Sequence, residues 1–250
     1  MINRILAWLT DRNHWQGSDG ILRRLVEHLG YSLTAVLIAA LIAIPLGLYI
    51  GHTGRGRFLV VNLAGAARAI PSLGLLYLAV LWLGPKLSGD IAFLAPAGLV
   101  LVVLAIPPIL SGAYAGVEGV DPDARDAATG MGMRGTEVLR HVELPCALPL
   151  ILSGTRSAML QVIATATIAA VLGLGGLGRF LIDGLASQDF PQTASGAVLV
   201  AILALLVDMA LVLVQRLVVS PGLTGRYGKV SPTDGETGTA IPASALQQSV

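Results

Sequence analysis

The sequence predicts an all-α membrane protein with about five transmembrane helices, and two observations lead to this fold class. Of its 250 residues, 54% are apolar and only 12% are charged, whereas a soluble domain carries about 25% charged residues. The apolar residues also come in blocks of roughly 20, the length of helix that crosses a bilayer core of about 30 Å. This composition excludes a soluble enzyme, a disordered chain and a fibrous protein.

Five apolar blocks follow a more polar N-terminal stretch. The predicted spans cover residues 31–50, 58–84, 91–115, 147–172 and 193–219. Prolines inside four of these spans indicate a packed bundle, because neighbouring helices must satisfy the carbonyl groups that proline frees. Small residues that allow helices to approach closely point the same way. They are Gly65, Ala66, Ala67 and Ala69 in the second span and Ala164, Ala166, Ala169 and Ala170 in the fourth.

The ends of the chain differ from the transmembrane domain, which is expected to cover residues 31–220. In the N-terminal segment, residues 1–30, several apolar side chains fit one face of a short helix. They are Ile2, Ile5, Leu6, Trp8 and Leu9. This pattern favours a helix that lies on the membrane surface, with a frayed terminus as the alternative. Residues 221–250 are rich in Ser, Pro, Gly and Thr, so a disordered tail is expected there.

Lys and Arg residues in the loops predict the orientation, because loops rich in them stay in the cytoplasm. The loops after the first and third spans and the segment after the fifth span share one side and carry eight basic residues. The opposite side carries six, four of them before the first span. We therefore expect the N-terminus outside the cell and the C-terminus inside.

Several function classes lack their chemistry in this chain. The net charge of +1 gives no basic field for nucleic acid. The single cysteine, Cys146, and four scattered histidines predict no disulfide framework and no metal site. The predicted spans contain no histidine and only one acidic residue, Asp208. An intramembrane enzyme would need a catalytic pair there, and an ion-driven carrier would need more acidic residues and an inverted repeat.

The connection between the third and fourth spans, residues 118–146, is the one loop with a pattern. It is long enough to hold a short helix, which Asp121 or Asp123 would cap by accepting hydrogen bonds from its free N–H groups. Glycines then interrupt the pattern. A second helix is expected over residues 136–143, before the chain leaves the loop at a Leu-Pro pair.

This loop resembles the cytoplasmic signature loop of the permease subunits of ATP-binding-cassette (ABC) importers. That motif is Glu-Ala-Ala, three residues, Gly, nine residues, Ile, one residue, Leu-Pro. The positions that match it here are Asp126, Ala127, Ala128, Gly132, Val142, Leu144 and Pro145. All spacings hold, with Asp in place of Glu and Val in place of Ile. The resemblance implies a type I ABC importer bundle whose cytoplasmic coupling helix docks on an ATPase subunit, and a merely solvated loop is the alternative.

Longer stretches are similar to the permeases of osmoprotectant importers, which carry glycine betaine, choline, carnitine or related quaternary amines. The similar stretches include AIPSLGLL from Ala69, AIPPILSGAYAGVEGVDP from Ala105, and ATATIAAVLGLGGLGRFLIDGL from Ala164. Permeases of the methionine type share the five-span plan, so another small solute such as methionine remains the alternative. An ion-coupled secondary carrier is a less favoured third hypothesis.

The resemblance implies partner proteins rather than cofactors. The chain has no G-x-x-x-x-G-K-[ST] sequence, so we expect it to be no enzyme and ATP hydrolysis to occur on a separate ATPase subunit. An extracytoplasmic substrate-binding protein and a second permease subunit, identical or related, complete the expected system. Its place would be the bacterial cytoplasmic (inner) membrane, where it would work by alternating access.

Charges inside the spans are either paired or functional. Arg68 and Asp208 are expected at similar depth, so an ion pair between the second and fifth spans is the hypothesis, with a direct role in a gate as the alternative. Arg156 is expected to extend toward the cytoplasmic interface.

The translocation path is predicted less sharply than the coupling loop. The candidates for path or gate residues are Pro71, Ser72, Tyr77, Gln161, Thr165 and Thr167. Aromatic rings hold quaternary amines through cation–π contacts, and the only plausible pathway members here are Tyr77 and Trp82 in the second span and Tyr114 in the third. The glycine segment 173–178 formally matches a dinucleotide fingerprint. It follows a membrane helix rather than a strand, so we interpret it as a turn, either flexible or closely packed.

Overall fold

Helices joined by short turns make up the part of the chain that this computed structural model describes, which is residues 1–58, 60, 62 and 69–219. The helices are α1 (Ile2–Thr10), α2 (Ile21–Thr53), α3 (Ser72–Leu83), α4 (Ile91–Glu118), α5 (Pro122–Gly130), α6 (Gly135–Val138), α7 (Leu144–Ala169), α8 (Gly178–Ala186) and α9 (Phe190–Val218). A π-helical turn, Leu139–Glu143, joins α6 to α7. The predicted all-α class is confirmed.

Four of the described helices are long and apolar enough to cross a membrane: α2, α4, α9 and the continuous helix Gly135–Leu172. They correspond to the first, third, fifth and fourth predicted spans. The second predicted span falls on α3 and on residues that lie partly outside the described ones. Prolines lie inside α2, α4 and α7 without ending them, as the bundle hypothesis requires.

Helix α2 begins at Ile21, ten residues before the predicted start of the first span. The additional turns are charged, and their charges pair along the helix. Arg23 Nε lies 3.3 Å and Arg24 Nη1 lies 2.9 Å from carboxylate oxygens of Glu27. Hydropathy alone could not include these turns in the helix, because their stability comes from pairing between side chains.

Helix α4 packs against α2 at two glycines of α2. A Cβ atom built at Gly47 would lie 2.6 Å from the Cβ of Ala113, and one at Gly51 would lie 2.7 Å from the Cβ of Val117. Real Cβ atoms do not come so close, so glycine is required at both positions. The spacing of four residues places both glycines on one face of α2.

Glycines also set the contact between α4 and α7. A Cβ atom at Gly112 of α4 would lie 2.5 Å from the carbonyl oxygen of Leu150, and one at Gly154 of α7 would lie 2.6 Å from that of Pro108. The two backbones therefore touch directly. Together these contacts make α4 the central helix, with α2 on one side of it and α7 on the other.

The glycine segment 173–178 is closely packed against the start of α2. The Gly176 N–H donates a hydrogen bond of 3.0 Å to Oε2 of Glu27, and Gly176 has a φ of +86° that favours glycine. Nearby, Nε2 of the buried His28 lies 3.1 Å from the carbonyl oxygen of Ile163. Of the two interpretations of this turn, the structure supports the closely packed one.

The N-terminal residues form a packed helix rather than a frayed end. The Trp8 ring stacks on His14 at 4.2 Å between centroids and meets Phe180 edge-on at 5.4 Å. Ile2 and Leu6, by contrast, remain exposed. That these exposed side chains rest in the membrane surface stays a prediction.

Helix α9 contributes few residues to the core, since within this fully described helix only Ser195, Gly196 and Leu203 are buried. An ion pair fastens it to α7. Both carboxylate oxygens of Asp208 accept from Arg156, and the Nη2–Oδ2 distance is 2.7 Å.

This pair corrects the expectation that Arg156 extends toward the interface. The partner that the sequence predicts for Asp208 is Arg68, and Arg68 lies outside the described residues. The tail 221–250 lies outside them as well.

The Arg156–Asp208 pair predicts an ordering of stabilities. We expect Arg156→Met and Asp208→Leu each to lower the melting temperature of the detergent-purified protein more than the double variant does. Each single change leaves an unpaired charge in an apolar span, and the double change leaves none. Thermal unfolding followed by tryptophan fluorescence measures this. Additive effects would contradict the pair, and non-additivity of Asp208→Leu with Arg68→Met would restore the original hypothesis.

Candidate functional site

The first half of the loop 118–146 forms the short helix α5. Its cap is Asp121, one of the two predicted candidates, whose Oδ1 accepts a hydrogen bond of 3.0 Å from the Asp123 N–H. Pro122 follows at the first helical position, where its missing N–H costs nothing. The local sequence therefore starts a helix at this point without help from the rest of the fold.

The acidic-and-small triplet of the signature divides between two faces of α5. Asp126 and Ala127 are exposed, whereas Ala128 is buried against the bundle. A side chain larger than alanine at residue 128 would push α5 off its support. Asp126 and Ala127 therefore give the exposed face of α5 a small, acidic surface.

A glycine turn follows α5. Gly132 is exposed and has a φ of +90°, a conformation in which a Cβ atom is strained. The next residue, Met133, folds back so that its N–H donates to the Ala128 carbonyl oxygen at 3.2 Å. An open hollow of about 390 Å³ lies beside this turn. It is lined by Met131, Gly132, Met133, Glu137 and His141.

The sequence predicted a separate helix over residues 136–143, before the Leu-Pro pair. This prediction is wrong. The helix that begins at Gly135 continues to Leu172. Pro145 has no N–H to donate, and the π-helical turn just before it is closed by a hydrogen bond from the Leu144 N–H to the Leu139 carbonyl oxygen. The chain therefore does not break at Pro145. The remaining signature positions, Val142, Leu144 and Pro145, are half-buried at the base of this helix.

A buried carboxylate ties the loop to the membrane helices. Glu143 is 1% exposed. Its Oε2 lies 2.7 Å from Nδ1 of His52 at the end of α2, and its Oε1 lies 3.0 Å from Nε of Arg125 on α5. No local pattern predicts this cluster from the sequence, because its three residues belong to separate elements, α2, α5 and the π-helical turn.

Helix α7 carries a polar stripe on the side that faces away from the chain's own core. Ser153, Ser157 and Gln161 are all exposed, at successive intervals of four residues. Of the other predicted path residues on α7, Thr165 is buried and Thr167 is half-buried. Their hydroxyl groups donate to carbonyl oxygens one turn earlier.

The path candidates before and on α3 are accessible. Pro71 precedes the helix, Ser72 begins it, and Tyr77 is 44% exposed. The two other aromatic residues are poorly placed to hold a cation. Tyr114 is buried, and the ring of Trp82 already has the ammonium of Lys86 at 4.4 Å. Tyr77 is therefore the aromatic residue of the three that remains available.

The comparisons with known proteins identify the family. Residues 43–223 match the family model described as binding-protein-dependent transport system inner membrane component. The chain is 34% identical over 205 residues to the glycine betaine/carnitine/choline transport system permease protein OpuCB of Bacillus subtilis, covering 82% of this chain and 91% of that one. It is 32% identical over 200 residues to the osmoprotectant import permease protein OsmW of Salmonella typhimurium, covering 79% and 91%.

The fold has a solved counterpart. A chain of the inward-facing MetNI methionine ABC transporter superimposes with a TM-score of 0.69 at 23% identity, covering 80% of this chain and 97% of that one. This likeness confirms the type I bundle. With the match over most of its length and with its long apolar helices, the protein is a multi-pass inner-membrane transport subunit. The chain belongs to the family of binding-protein-dependent transport system inner membrane components.

Proposed function

We propose that this chain forms the translocation path of an ATP-driven importer of quaternary-amine osmoprotectants and couples that path to a separate ATPase subunit. The proposal depends mainly on the loop 118–146, which presents an exposed helix and a glycine turn at one end of the bundle. The relatives support the substrate class, since their names specify glycine betaine, carnitine, choline or osmoprotectants. The methionine transporter supports the fold alone.

One continuous helix connects the two halves of this function. Helix Gly135–Leu172 begins in the loop beside the glycine turn and carries the polar stripe of α7 further along. A displacement of the loop is therefore transmitted to the polar stripe along one continuous helix. ATP-driven movement of the partner subunit would tilt or shift this helix and so open the path to one side of the membrane or the other.

The polar stripe is our candidate wall of the path. Serine and glutamine side chains are disfavoured against lipid, so an exposed polar line on a membrane helix faces either water or another protein helix. A second permease subunit, identical or related, would close the path on the open side. Tyr77 would add a cation–π contact for the quaternary amine.

The orientation and the remaining partners belong to the proposal as well. The His52–Glu143 contact joins the end of α2 to the loop 118–146, and the Arg57–Glu118 contact joins the segment just after α2 to the end of α4, so these parts lie at one end of the bundle. This end is cytoplasmic by its excess of Lys and Arg. The opposite end, with α1 and the glycine segment 173–178, would face an extracytoplasmic binding protein.

Uptake of labelled glycine betaine tests the proposed function directly. We expect uptake in a host without its own systems when this chain is produced with its ATPase subunit and binding protein. Choline or carnitine should compete, and omission of the ATPase should abolish uptake. Uptake that persists without the ATPase would contradict the coupling. Methionine uptake without betaine uptake by the assembled complex would reassign the substrate.

The glycine turn predicts a contrast between two neighbouring glycines. A Cβ atom meets nothing within 4 Å at Gly130 or at Gly132, but only Gly132 has a positive φ. The strain of about 1–2 kcal/mol at Gly132→Ala should reduce ATP-dependent uptake about 5–30-fold by disfavouring the turn that docks. Gly130→Ala should stay within about twofold, since alanine favours the helix end. Equal uptake by both variants would contradict a role for the turn.

Cysteine accessibility tests the stripe. In a Cys146→Ser background, we expect a membrane-impermeant thiol reagent to modify Ser157→Cys or Gln161→Cys at least about tenfold faster than the controls, because the reactive thiolate forms in water. The controls are Ala158→Cys, buried on the same helix, and Leu205→Cys, exposed on the apolar face of α9. Glycine betaine should slow the reaction. Equal rates at Ser157 and Leu205 would contradict a water-filled path along this face.

A further inference from the structure

We propose that Glu143 is the joint through which movement of α5 reaches the membrane helices. The proposal rests on the function proposed above, because α5 must dock on an ATPase subunit for its movement to matter. Glu143 is the last residue of the π-helical turn and stands at the base of the helix that continues to Leu172. It is a positioning residue, and it contacts no substrate in this role.

The first step is the cost of burying this side chain. A carboxylate that is 1% exposed is tolerated only when charged or hydrogen-bonding partners replace the lost water. Glu143 has two such partners, His52 and Arg125, at 2.7 and 3.0 Å. Since a carboxylate only accepts, Nδ1 of His52 carries the hydrogen. Neither partner is on the helix of Glu143, so the buried group links α2, α5 and α7.

The second step is the further contact of Arg125. Its guanidinium also donates to the carbonyl oxygen of Val117, in the last turn of α4. One side chain of α5 therefore contacts the ends of α4 and α7, and through Glu143 it is linked to α2. If α5 moves alone, the buried Glu143 carboxylate loses Arg125, one of its two partners, and the loss of a partner by a buried charge is costly. Movement of α5 is thus passed to three membrane helices.

The third step is the π-helical turn that ends at Glu143. A π turn inserts one residue into the helical repeat, which rotates the following positions by about 100° relative to an uninterrupted α-helix. Glu143, Ala147 and Ile151 follow at intervals of four residues and therefore share one face of the helix, the face that packs into the core with α4. The extra residue of the turn changes the direction in which the residues of α6, before the turn, face relative to Glu143. Such turns recur at functional sites in helices, and this one lies between the coupling loop and the path.

A nearby ion pair provides a matched control. Arg57 and Glu118 lie 3.1 Å apart at the same end of the bundle, but their side chains are 69% and 41% exposed. An exposed pair can break with little cost because water takes its place. It lies at the same end of the bundle as the contacts of Glu143 with His52 and Arg125. Because water can replace it, it should not transmit movement as those buried contacts do.

The number of glycine betaine molecules imported per ATP hydrolysed tests the proposal. We expect Glu143→Gln to lower this ratio at least fivefold in the complete complex reconstituted in liposomes, the lower end of typical couplings between sites. Arg57→Gln should leave the ratio at its wild-type value. The ratio separates coupling from folding, because a misfolded fraction loses transport and hydrolysis together.

A second variant keeps the test independent of folding at residue 143. Arg125→Gln changes a half-buried residue of α5 and should lower the ratio to a similar extent. The double variant should then match Glu143→Gln alone, since both changes break one joint. The proposal is wrong if Glu143→Gln and Arg125→Gln keep the wild-type import-to-hydrolysis ratio. It is also wrong if the fold-losses of the two single variants multiply in the double variant. A wild-type complex without ATP-dependent import would instead overturn the proposed function.

Discussion

Close contact between backbones at α4 is the constraint on which this structure depends. Lipid is as apolar as the side chains of a membrane helix, so the hydrophobic effect does little to bring such helices together, and contact area must do so. Glycines at 47 and 51 bring α2 against α4, and glycines at 112 and 154 bring α4 against α7. Helix α4 contacts α2 on one side and α7 on the other. The C-terminal ends of α2 and α4 and the N-terminal end of α7 therefore lie together beside the loop 118–146.

Three polar side chains in the described part of this apolar chain, two of them buried and one half-buried, link different helices. Glu143 bonds to α2 and α5, His28 to α7, and Asp208 to α7 through Arg156. Buried pairs of this kind add little net stability, because desolvation offsets their attraction. Their effect is on specificity, since an alternative packing would leave a charge or a donor without its partner.

The candidate site follows from these two features together. Glycine contacts hold one face of α7 against the core, and the adjoining face, with Ser153, Ser157 and Gln161, remains exposed. The Glu143 cluster holds α5 beneath the same helix. The proposed coupling surface on α5 and the proposed path wall on α7 are thus held together by contacts within the described bundle.

The class of protein, the positions of most spans, and the short capped helix followed by a glycine turn in the loop 118–146 follow from the amino-acid sequence without knowledge of the fold. These depend on composition and on contacts between near neighbours, such as Asp121 with the N–H of Asp123. Three further features could be seen only in the folded bundle: Asp208 binds Arg156, Glu143 is buried between His52 and Arg125, and Pro145 does not end a helix. These outcomes depend on which faces of distant helices meet. Hydropathy does not encode that choice, because an apolar helix offers every face to its neighbours until close packing selects one.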